Sequence, residues 1–287
     1  MRIAETACAA LLLAAGCATA RLDASSRNTL DQIRYSKVIK LGYRESAVPF
    51  SFVGIEGKPG GYSVDLCTAV VEGLAKDLSL GELRIEWVKV TPETRIDALL
   101  VGSIDLECGS TTSTYSRQEL VDFTNFTFLD GATFMSRVGA GIRSVDDLSG
   151  KRVALIPGTT TERILKEALN KAGVTSEFVS VKINREGLRA VSDGTADVYA
   201  SDRTILLSLA ATSSEPDRYA IVDRPLSFEP YALMLRHDPA FRLAVNRQLS
   251  RIYRSGSIME IYGKWFGKFG PVSDAMRTMY AISAAME

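Results

Sequence analysis

One polar segment, residues 107–117 (Glu-Cys-Gly-Ser-Thr-Thr-Ser-Thr-Tyr-Ser-Arg), combines the residue types that hold a carboxylate. It follows a short apolar strand pattern over residues 104–106, and a glycine turn leads into a row of hydroxyls and then Arg117. Backbone N–H groups and hydroxyls at a strand end can hydrogen-bond an anion, and a guanidinium can form a bidentate pair with it. Taken alone, the segment is also compatible with an ordinary polar loop.

Two further polar residues lie where a ligand could meet them. Thr160 lies at the start of a predicted helix, where free backbone N–H groups and the helix dipole favour an anion. Asp202 follows a predicted strand, as Ser110 does, and ligands of such α/β sheets bind beyond the carboxyl ends of strands. We therefore expect residues 110–112 and Asp202 to face each other across a cleft. Asp202 could instead be the N-cap of a helix over residues 204–211.

The elements that must position these residues alternate between strand and helix in both halves of the chain. Strands are predicted over residues 37–43, 83–90, 104–106, 151–156, 177–181 and 196–199. Helices are predicted to begin at Ser63, at Thr91-Pro92 and at Thr159, and a fourth covers residues 187–192. This alternation predicts an α/β protein with two lobes.

The composition is that of a globular protein and argues against several classes of function. The chain has 287 residues, a length that suits about two domains. Of these residues, 46% are hydrophobic and 24% are charged. Lys+Arg and Asp+Glu are equal at 34 each, so no net charge attracts nucleic acid. The chain has one histidine, His237, and its four cysteines form no CxxC pair. A histidine-based triad and a metal site are therefore not expected.

Residues 1–20 have the composition of a secretory signal followed by a short tether. Residues 7–16 are small or apolar, and this run is shorter than the roughly 20 residues that a membrane anchor needs. Residues 14–17 (Ala-Ala-Gly-Cys) resemble a bacterial lipobox, which would lipidate Cys17, whereas residues 18–20 (Ala-Thr-Ala) resemble an ordinary signal peptidase site. The sequence leaves both open and predicts export to the periplasm.

Several motifs together resemble the solute-binding proteins of polar amino acid ABC transporters (bacterial extracellular solute-binding proteins, family 3), especially their glutamate/aspartate-binding branch. The motifs occupy residues 42–52, 61–66, 95–96, 107–112, 121–123 and 158–160. The most specific are Arg-Glu-Ser-x-x-Pro-Phe-Ser and Glu-Cys-Gly-Ser-Thr-Thr. The resemblance covers about residues 29–270.

The resemblance implies a periplasmic-binding-protein-like (type II) α/β fold. Two α/β lobes would be joined by two crossover strands, with the ligand in the cleft between the lobes. Residues 28–130 and 231–287 would form the large lobe, and residues 131–230 the small lobe.

The resemblance also implies how the main-chain groups of an amino acid would be held. Arg117 would bind the α-carboxylate, with hydrogen bonds donated by Ser110, Thr112 and Thr160. Asp202 would bind the α-ammonium.

The side-chain carboxylate of an acidic ligand would be held by Arg44 and Arg95. Three arginines against one aspartate would leave a net positive site for an anion. Asn184 stands where close relatives have a histidine that touches this carboxylate, so a preference for an acid is weakened, and glutamine stays possible. Arg185 could substitute for the histidine.

The cysteines depart from the family pattern as well. Relatives can carry a cysteine after the return crossover, where residues 231–234 of this chain read Tyr-Ala-Leu-Met. We therefore predict that Cys108 is a free thiol and does not pair with Cys67.

The function implied is capture of glutamate or aspartate and its delivery to an ABC permease and ATPase complex. A monomer without cofactor, metal, nucleic-acid partner or catalytic activity is expected. Two alternatives stay open. One is an enzyme like the periplasmic cyclohexadienyl dehydratases of the same fold, with Glu107 or Glu229 as general acid. The other is a ligand-sensing module of a receptor.

Overall fold

The computed structural model describes residues 28–54 and 56–285. The predicted signal sequence and the possible lipidation of Cys17 lie outside the described residues. Over the described ranges, none of the helices has the length and apolar character needed to cross a membrane.

Two five-stranded sheets organise the molecule. The first consists of β1 (Val38–Tyr43), β5 (Arg84–Lys89), β6 (Leu106–Glu107), β7 (Asp122–Asp130) and β13 (Glu229–Leu235), in the order β5-β1-β6-β13-β7. In it, β1 runs parallel to β5 and β6, whereas β13 runs antiparallel to β6 and β7. A small antiparallel sheet beside it contains β2 (Ser46–Ala47), β3 (Ser51–Val53) and β4 (Pro59–Gly60).

The second sheet consists of β8 (Ala132–Arg137), β9 (Arg152–Leu155), β10 (Glu177–Ser180), β11 (Val198–Asp202) and β12 (Tyr219–Ile221), in the order β10-β9-β11-β8-β12. Here β9 runs parallel to β10 and β11, and β8 runs antiparallel to β11 and β12. The chain enters this sheet across Gly131 and leaves it before Glu229. A Cβ at Gly131 would overlap the carbonyl oxygen of Ser227, so the two crossing segments touch. The expected architecture of two α/β lobes joined by two crossovers is confirmed.

Helices cover the two sheets. They are α1 (Thr29–Ser36), α2 (Tyr62–Asp77), α3 (Arg95–Leu100), α4 (Tyr115–Gln118), α5 (Thr160–Ala172), α6 (Asn184–Asp193), α7 (Arg203–Ala211), α8 (Pro239–Ser255), α9 (Ser257–Phe266) and α10 (Asp274–Ala284). Short 3₁₀ turns occupy Asp146–Leu148, Pro216–Arg218 and Gly267–Phe269. In α2 the apolar residues Leu66, Val70 and Leu74 recur every four residues, and all three are buried. An aromatic cluster of Phe50, Tyr62, Phe128, Tyr231 and Phe266 fills the core of the first lobe.

The start of α2 differs from the prediction, because Gly61 and not Ser63 is the N-cap. The N–H groups of Tyr62 and Ser63 donate to the carbonyls of Pro49 and Phe50 at 2.9 Å, so these first-turn donors need no capping side chain. Gly61 has φ +129°, and a Cβ there would overlap the carbonyl of Phe50. Glycine is therefore required at this turn.

The helix predicted to start at Thr91-Pro92 begins only at Arg95. The backbone N–H of Thr91 donates to the hydroxyl of Thr94 at 3.0 Å, and the backbone N–H of Thr94 donates to the hydroxyl of Thr91 at 3.2 Å. This local pairing competes with the helix and delays it by a turn. Arg95 is thereby the first residue of α3, and its side chain is buried.

Candidate ligand-binding site

A small polar cavity lies between the two lobes. It is lined by all eight residues that the sequence nominated, namely Arg44, Arg95, Ser110, Thr112, Arg117, Thr160, Asn184 and Asp202. Thr161 and Tyr199 also line it and were not predicted. The cavity volume is only about 30 Å³, so the two lobes lie close together.

The three arginines of the cavity are held out of water by the fold. Arg44 and Arg95 are buried, and Arg117 is half-buried. Burial, with the charge of Arg95 adding to it, lowers the pKa of Arg44 and of Arg117 to about 10. Burial also lowers the pKa of Arg95. The carboxylates of Glu107 and Asp202 oppose this lowering of the arginine pKa values, because a nearby negative charge favours a guanidinium.

The hydrogen bonds of these arginines are incomplete. Arg95 Nη1 donates to Thr111 Oγ1 at 2.6 Å, but within the described residues Arg95 Nε has no partner. Arg117 Nη1 donates to the carbonyl oxygen of Thr112 at 2.8 Å. A guanidinium offers five N–H donors, so both groups retain donors for a ligand.

Three buried carboxyl groups oppose the arginines, where the sequence analysis counted one. Glu107 is 0% exposed, Glu229 is 1% exposed and Asp202 is 8% exposed. The protein side chains alone therefore come close to charge balance, and the expected net positive site is corrected. No local sequence pattern distinguishes a buried glutamate at a strand end from an exposed one. The burial of Glu107 and Glu229 could therefore not be predicted from the sequence.

Asp202 lies at the N-cap position of α7, but its side chain makes no capping hydrogen bond. It accepts instead from Thr161 Oγ1 at 3.1 Å and from the hydroxyl of Tyr231. The N–H of Thr204 is satisfied by Asp130, at 3.3 Å. The alternative role of Asp202 as a simple cap is thus not the one found.

Burial and nearby negative charge shift the acidity of two of these carboxyl groups. Burial, helped by the charge of Glu229, raises the pKa of Asp202 to about 7. Burial, helped by Asp202, raises the pKa of Asp130 to about 8. A cation placed beside Asp202 would reverse its shift, because it favours the ionised form.

The hydroxyls of Thr112 and Thr160 both donate to Glu229 Oε2, the latter at 2.6 Å. A hydroxyl has one proton, so in this arrangement neither can donate to a ligand carboxylate as the resemblance implied. The helix start itself remains suited to an anion, because the first-turn N–H groups of α5 have no partner within the helix. Thr159 caps this helix as its spacing predicts, accepting from the N–H of Glu162 at 3.2 Å.

Asn184 joins the two lobes. Its Nδ2 donates to the carbonyl oxygen of Ser46 at 2.9 Å, and its Oδ1 accepts from Tyr199 at 2.5 Å. The backbone N–H of Asn184 donates to Ser46 Oγ at 3.2 Å. Both ends of the amide are therefore engaged with protein, although the residue lines the cavity. Arg185 lines a separate groove together with Trp265 and is not among the residues lining this cavity.

Cys67 and Cys108 form a disulfide, so the prediction of a free thiol at Cys108 is wrong. Their Cα atoms are 6.2 Å apart, within the usual range for a bridge. The bridge ties α2 to the loop after β6, the loop that carries Ser110. The prediction failed because it compared cysteine positions with relatives, whereas α2 and this loop pack against each other in three dimensions.

Gly109 is held between two charged side chains of the site. A Cβ there would overlap Glu107 Oε1 and would lie 3.1 Å from Arg44 Cγ. Gly109→Ala is therefore expected to displace one or both and to lower the free energy of unfolding by about 1–3 kcal/mol. Ligand affinity, measured by calorimetry, should fall by about tenfold or more because buried charges that lose their geometry are costly.

Gly263→Ala in α9 is the matched control for this substitution, since a Cβ there meets no atom within 4 Å. It should leave affinity unchanged and stabilise the helix by up to about 1 kcal/mol. Equal affinity of Gly109→Ala and wild type would show that the site tolerates movement of Glu107 and Arg44.

The fold is similar to that of solved amino-acid-binding proteins. An ancestral amino acid-binding protein, described as a precursor of cyclohexadienyl dehydratase, matches with a TM-score of 0.73 and 27% sequence identity. The match covers 84% of this chain and 100% of that chain. The structure is thus of the type II periplasmic amino-acid-binding class.

The family follows from the sequence. Residues 39–268 match the bacterial extracellular solute-binding proteins, family 3, and the chain belongs to that family. The L-glutamate/L-aspartate-binding protein of Pseudomonas aeruginosa is 37% identical to it over 268 residues, covering 93% of this chain and 89% of the relative. The glutamate/aspartate import solute-binding protein of Escherichia coli is 34% identical with the same coverage.

Proposed function

We propose that this protein captures an acidic amino acid, glutamate or aspartate, and delivers it to an ABC permease and ATPase complex. The observation that carries the proposal is the convergence of Arg44, Arg95, Arg117 and Asp202 on one interlobe cavity. The guanidiniums of Arg95 and Arg117 keep N–H donors that an anion can use, and the buried carboxylate of Asp202 can pair with a cation. The names of relatives that are 34–37% identical support the same ligands.

In this proposal Arg117, Ser110 and the helix start at Thr160 hold the α-carboxylate. Asp202 holds the α-ammonium, and Arg44 and Arg95 hold the side-chain carboxylate. Charge-assisted hydrogen bonds contribute about 1.5–3 kcal/mol each, so a few suffice for micromolar affinity at about −8 kcal/mol after the costs of association.

A calorimetric panel of L-glutamate, L-aspartate, L-glutamine and L-asparagine tests the proposed ligand class. We expect both acids to bind more tightly than either amide. If the amides bind and both acids fail, the acidic ligand is refuted, and Asn184 becomes the first residue to examine by substitution.

We further propose that affinity rises with pH up to neutrality, because the ammonium pairs with ionised Asp202. In the free protein the pKa of Asp202 is raised to about 7, so at lower pH binding has to displace a proton. The dissociation constant should increase by up to about tenfold per unit below pH 7. Calorimetry between about pH 5.5 and 8.5, in two buffers of different ionisation enthalpy, should detect proton release over this range.

The ligand provides the control for this titration, since its carboxylates and ammonium keep their charges over the same range. A dissociation constant that stays flat between about pH 5.5 and 7.5 would contradict an ionised Asp202 as the ammonium partner.

The proposed compartment of the protein rests on the family to which the chain belongs. The protein is extracytoplasmic, and we propose that it is a periplasmic monomer, either free or anchored through a lipidated Cys17. The Cys67–Cys108 bridge supports an oxidising compartment. Mass spectrometry of the mature N-terminus distinguishes a lipidated Cys17 from cleavage after Ala20.

We also propose residues 28–130 with 231–287 as the large lobe and residues 131–230 as the small lobe.

The relatives are named as binding proteins, and we propose that this chain catalyses no reaction. Turnover of prephenate or arogenate by the purified protein would contradict this.

A further inference from the structure

A second groove lies between the two lobes, separate from the interlobe cavity, and has a volume of about 740 Å³. The first lobe contributes the β2–β3 hairpin and the end of α9 to its walls, and the second lobe contributes α6 and α7. Sites for small molecules usually have volumes of roughly 300–1,000 Å³. The groove is therefore large enough for a ligand of its own.

The walls of this groove are mostly apolar. The apolar residues that line it are Val48, Pro49, Phe52, Leu188, Leu209 and Trp265. The rings of Phe52 and Trp265 meet edge to face, with their centroids 5.5 Å apart. Trp265 Nε1 donates to Asp65 Oδ2 at 2.7 Å, which fixes the indole ring. The groove thus offers a rigid aromatic wall to an apolar group.

The charged residues that line the groove are all cations, namely Arg185, Lys264 and Lys268. Lys264 is paired with Asp65 at 2.7 Å, and Lys268 Nζ lies 4.9 Å from the centroid of the Phe269 ring. Arg185 is exposed, and within the described part of the chain its guanidinium forms no hydrogen bond or ion pair. The groove therefore keeps positive charge that an anion can complement.

Ser208 adds an unsatisfied polar atom to the wall of the groove. The residue is 1% exposed, and its hydroxyl has no hydrogen-bond partner among the described residues. A buried hydroxyl without a partner is unfavourable, so a ligand oxygen that reaches it gains a hydrogen bond that the free protein lacks. Apolar walls, positive charge and an unpaired hydroxyl together favour an anion with an apolar body.

The groove and the interlobe cavity are built on the same segments. On the β2–β3 hairpin, Ala47 lines the cavity and Val48 lines the groove. On α6, Asn184 lines the cavity and Arg185 lines the groove. A ligand that contacts both walls of the groove favours the arrangement in which the lobes lie close together. An amino acid that bridges the cavity favours the same arrangement, so each ligand should strengthen binding of the other.

We propose that this groove is a second ligand site, which takes a small carboxylate with an apolar body and raises the affinity of the interlobe cavity for its amino acid. The carboxylate lies at Arg185, and the apolar body packs against Trp265. The inference goes beyond the proposed function, because the amino acid does not occupy this site. Only the coupling between the two sites rests on that function.

The test titrates phenylpropionate by calorimetry into protein saturated with L-glutamate. We expect binding that Arg185→Gln weakens by about fivefold or more, because a charge-assisted hydrogen bond is lost. Arg189→Gln is the matched control, since Arg189 is exposed one turn further along α6 and does not line the groove, and it should change binding by less than about twofold.

Two further probes separate charge from apolar contact. Phenylpropylamine has the same ring with the opposite charge, and propionate lacks the ring, so each should bind at least about fivefold more weakly than phenylpropionate. No binding of phenylpropionate, or binding that Arg185→Gln leaves unchanged, would overturn the proposal.

Arg117→Ala distinguishes the groove from the interlobe cavity. Without L-glutamate, phenylpropionate should bind this variant and wild type equally, and a loss as large as that in Arg185→Gln would place the probe in the cavity and overturn the proposal. Wild-type protein that binds no amino acid would refute the proposed function but not the groove, which these two variants test without an amino acid.

The coupling is measured on L-glutamate. Saturation with phenylpropionate should lower the dissociation constant of L-glutamate by about fivefold or more in wild type, and by less in Arg185→Gln. An unchanged dissociation constant in wild type would overturn the coupling between the two sites.

Discussion

Arg117→Ala should weaken binding of L-glutamate by at least about 100-fold, because truncating one partner of a buried charge pair costs roughly 3 kcal/mol or more. Asp202→Asn should have a comparable effect through the ammonium, since the amide keeps the shape but loses the charge. Calorimetry on each variant measures both effects, and thermal melting without ligand separates them from misfolding. Because burial and Arg95 both disfavour the charge of Arg117, its removal should leave the melting temperature of the free protein unchanged or raise it.

Matched substitutions at exposed positions give the controls. Arg163 is exposed and pairs with Glu167 one turn along α5, and Asp193 is exposed at the end of α6. Arg163→Ala and Asp193→Asn should leave affinity within about twofold of wild type, because surface charges are screened by solvent. If Arg117→Ala binds with full affinity, Arg117 does not hold the α-carboxylate. If Asp202→Asn binds with full affinity, Asp202 does not hold the ammonium.

Much of the fold could be predicted because its signals are local. Strand and helix alternate in the sequence, and the apolar residues of α2 recur with the spacing of one buried face. The eight nominated residues line one cavity because they sit at strand ends and helix starts, and such positions converge at the edge of an α/β sheet.

The remaining features depend on contacts between residues far apart in the chain. Ser46 is 138 residues from Asn184, and Glu229 is 117 residues from Thr112. Patterns over neighbouring residues say which side chains can donate or accept, but not which partner will occupy them. The sequence therefore predicted residues that line one cavity, but not the hydrogen bonds that they form.

Two buried glutamates illustrate the limit. Glu107 and Glu229 were named only as general acids for an alternative enzyme, yet both are buried and accept hydrogen bonds from threonines at the cavity. Both are placed by pairings within the first sheet, where Glu107 of β6 pairs with Met234 of β13 and Glu229 of β13 pairs with Asp130 of β7. Charge counts from sequence motifs alone thus undercount the counter-charges of a site.

Removing the Cys67–Cys108 bridge should lower the free energy of unfolding by about 4 kcal/mol, the loop entropy for a separation of 41 residues. Urea unfolding of wild type and of the Cys67→Ala/Cys108→Ala variant measures the loss. Non-reducing peptide mapping of the wild type should yield one peptide pair linked through these residues. Finding Cys108 as a free thiol would contradict the bridge.

The single variants separate the cross-link from packing, because both cysteines are fully buried. Each single substitution already breaks the bridge, so the double variant should lose much less than the sum of the two singles. Additive losses would assign the stability to side-chain volume instead. The bridge also bears on binding, since Cys108 directly precedes Gly109 and Ser110 and its backbone N–H donates to Gly42 at 2.8 Å. A loop freed from α2 must be ordered again when ligand binds, so affinity should fall along with stability.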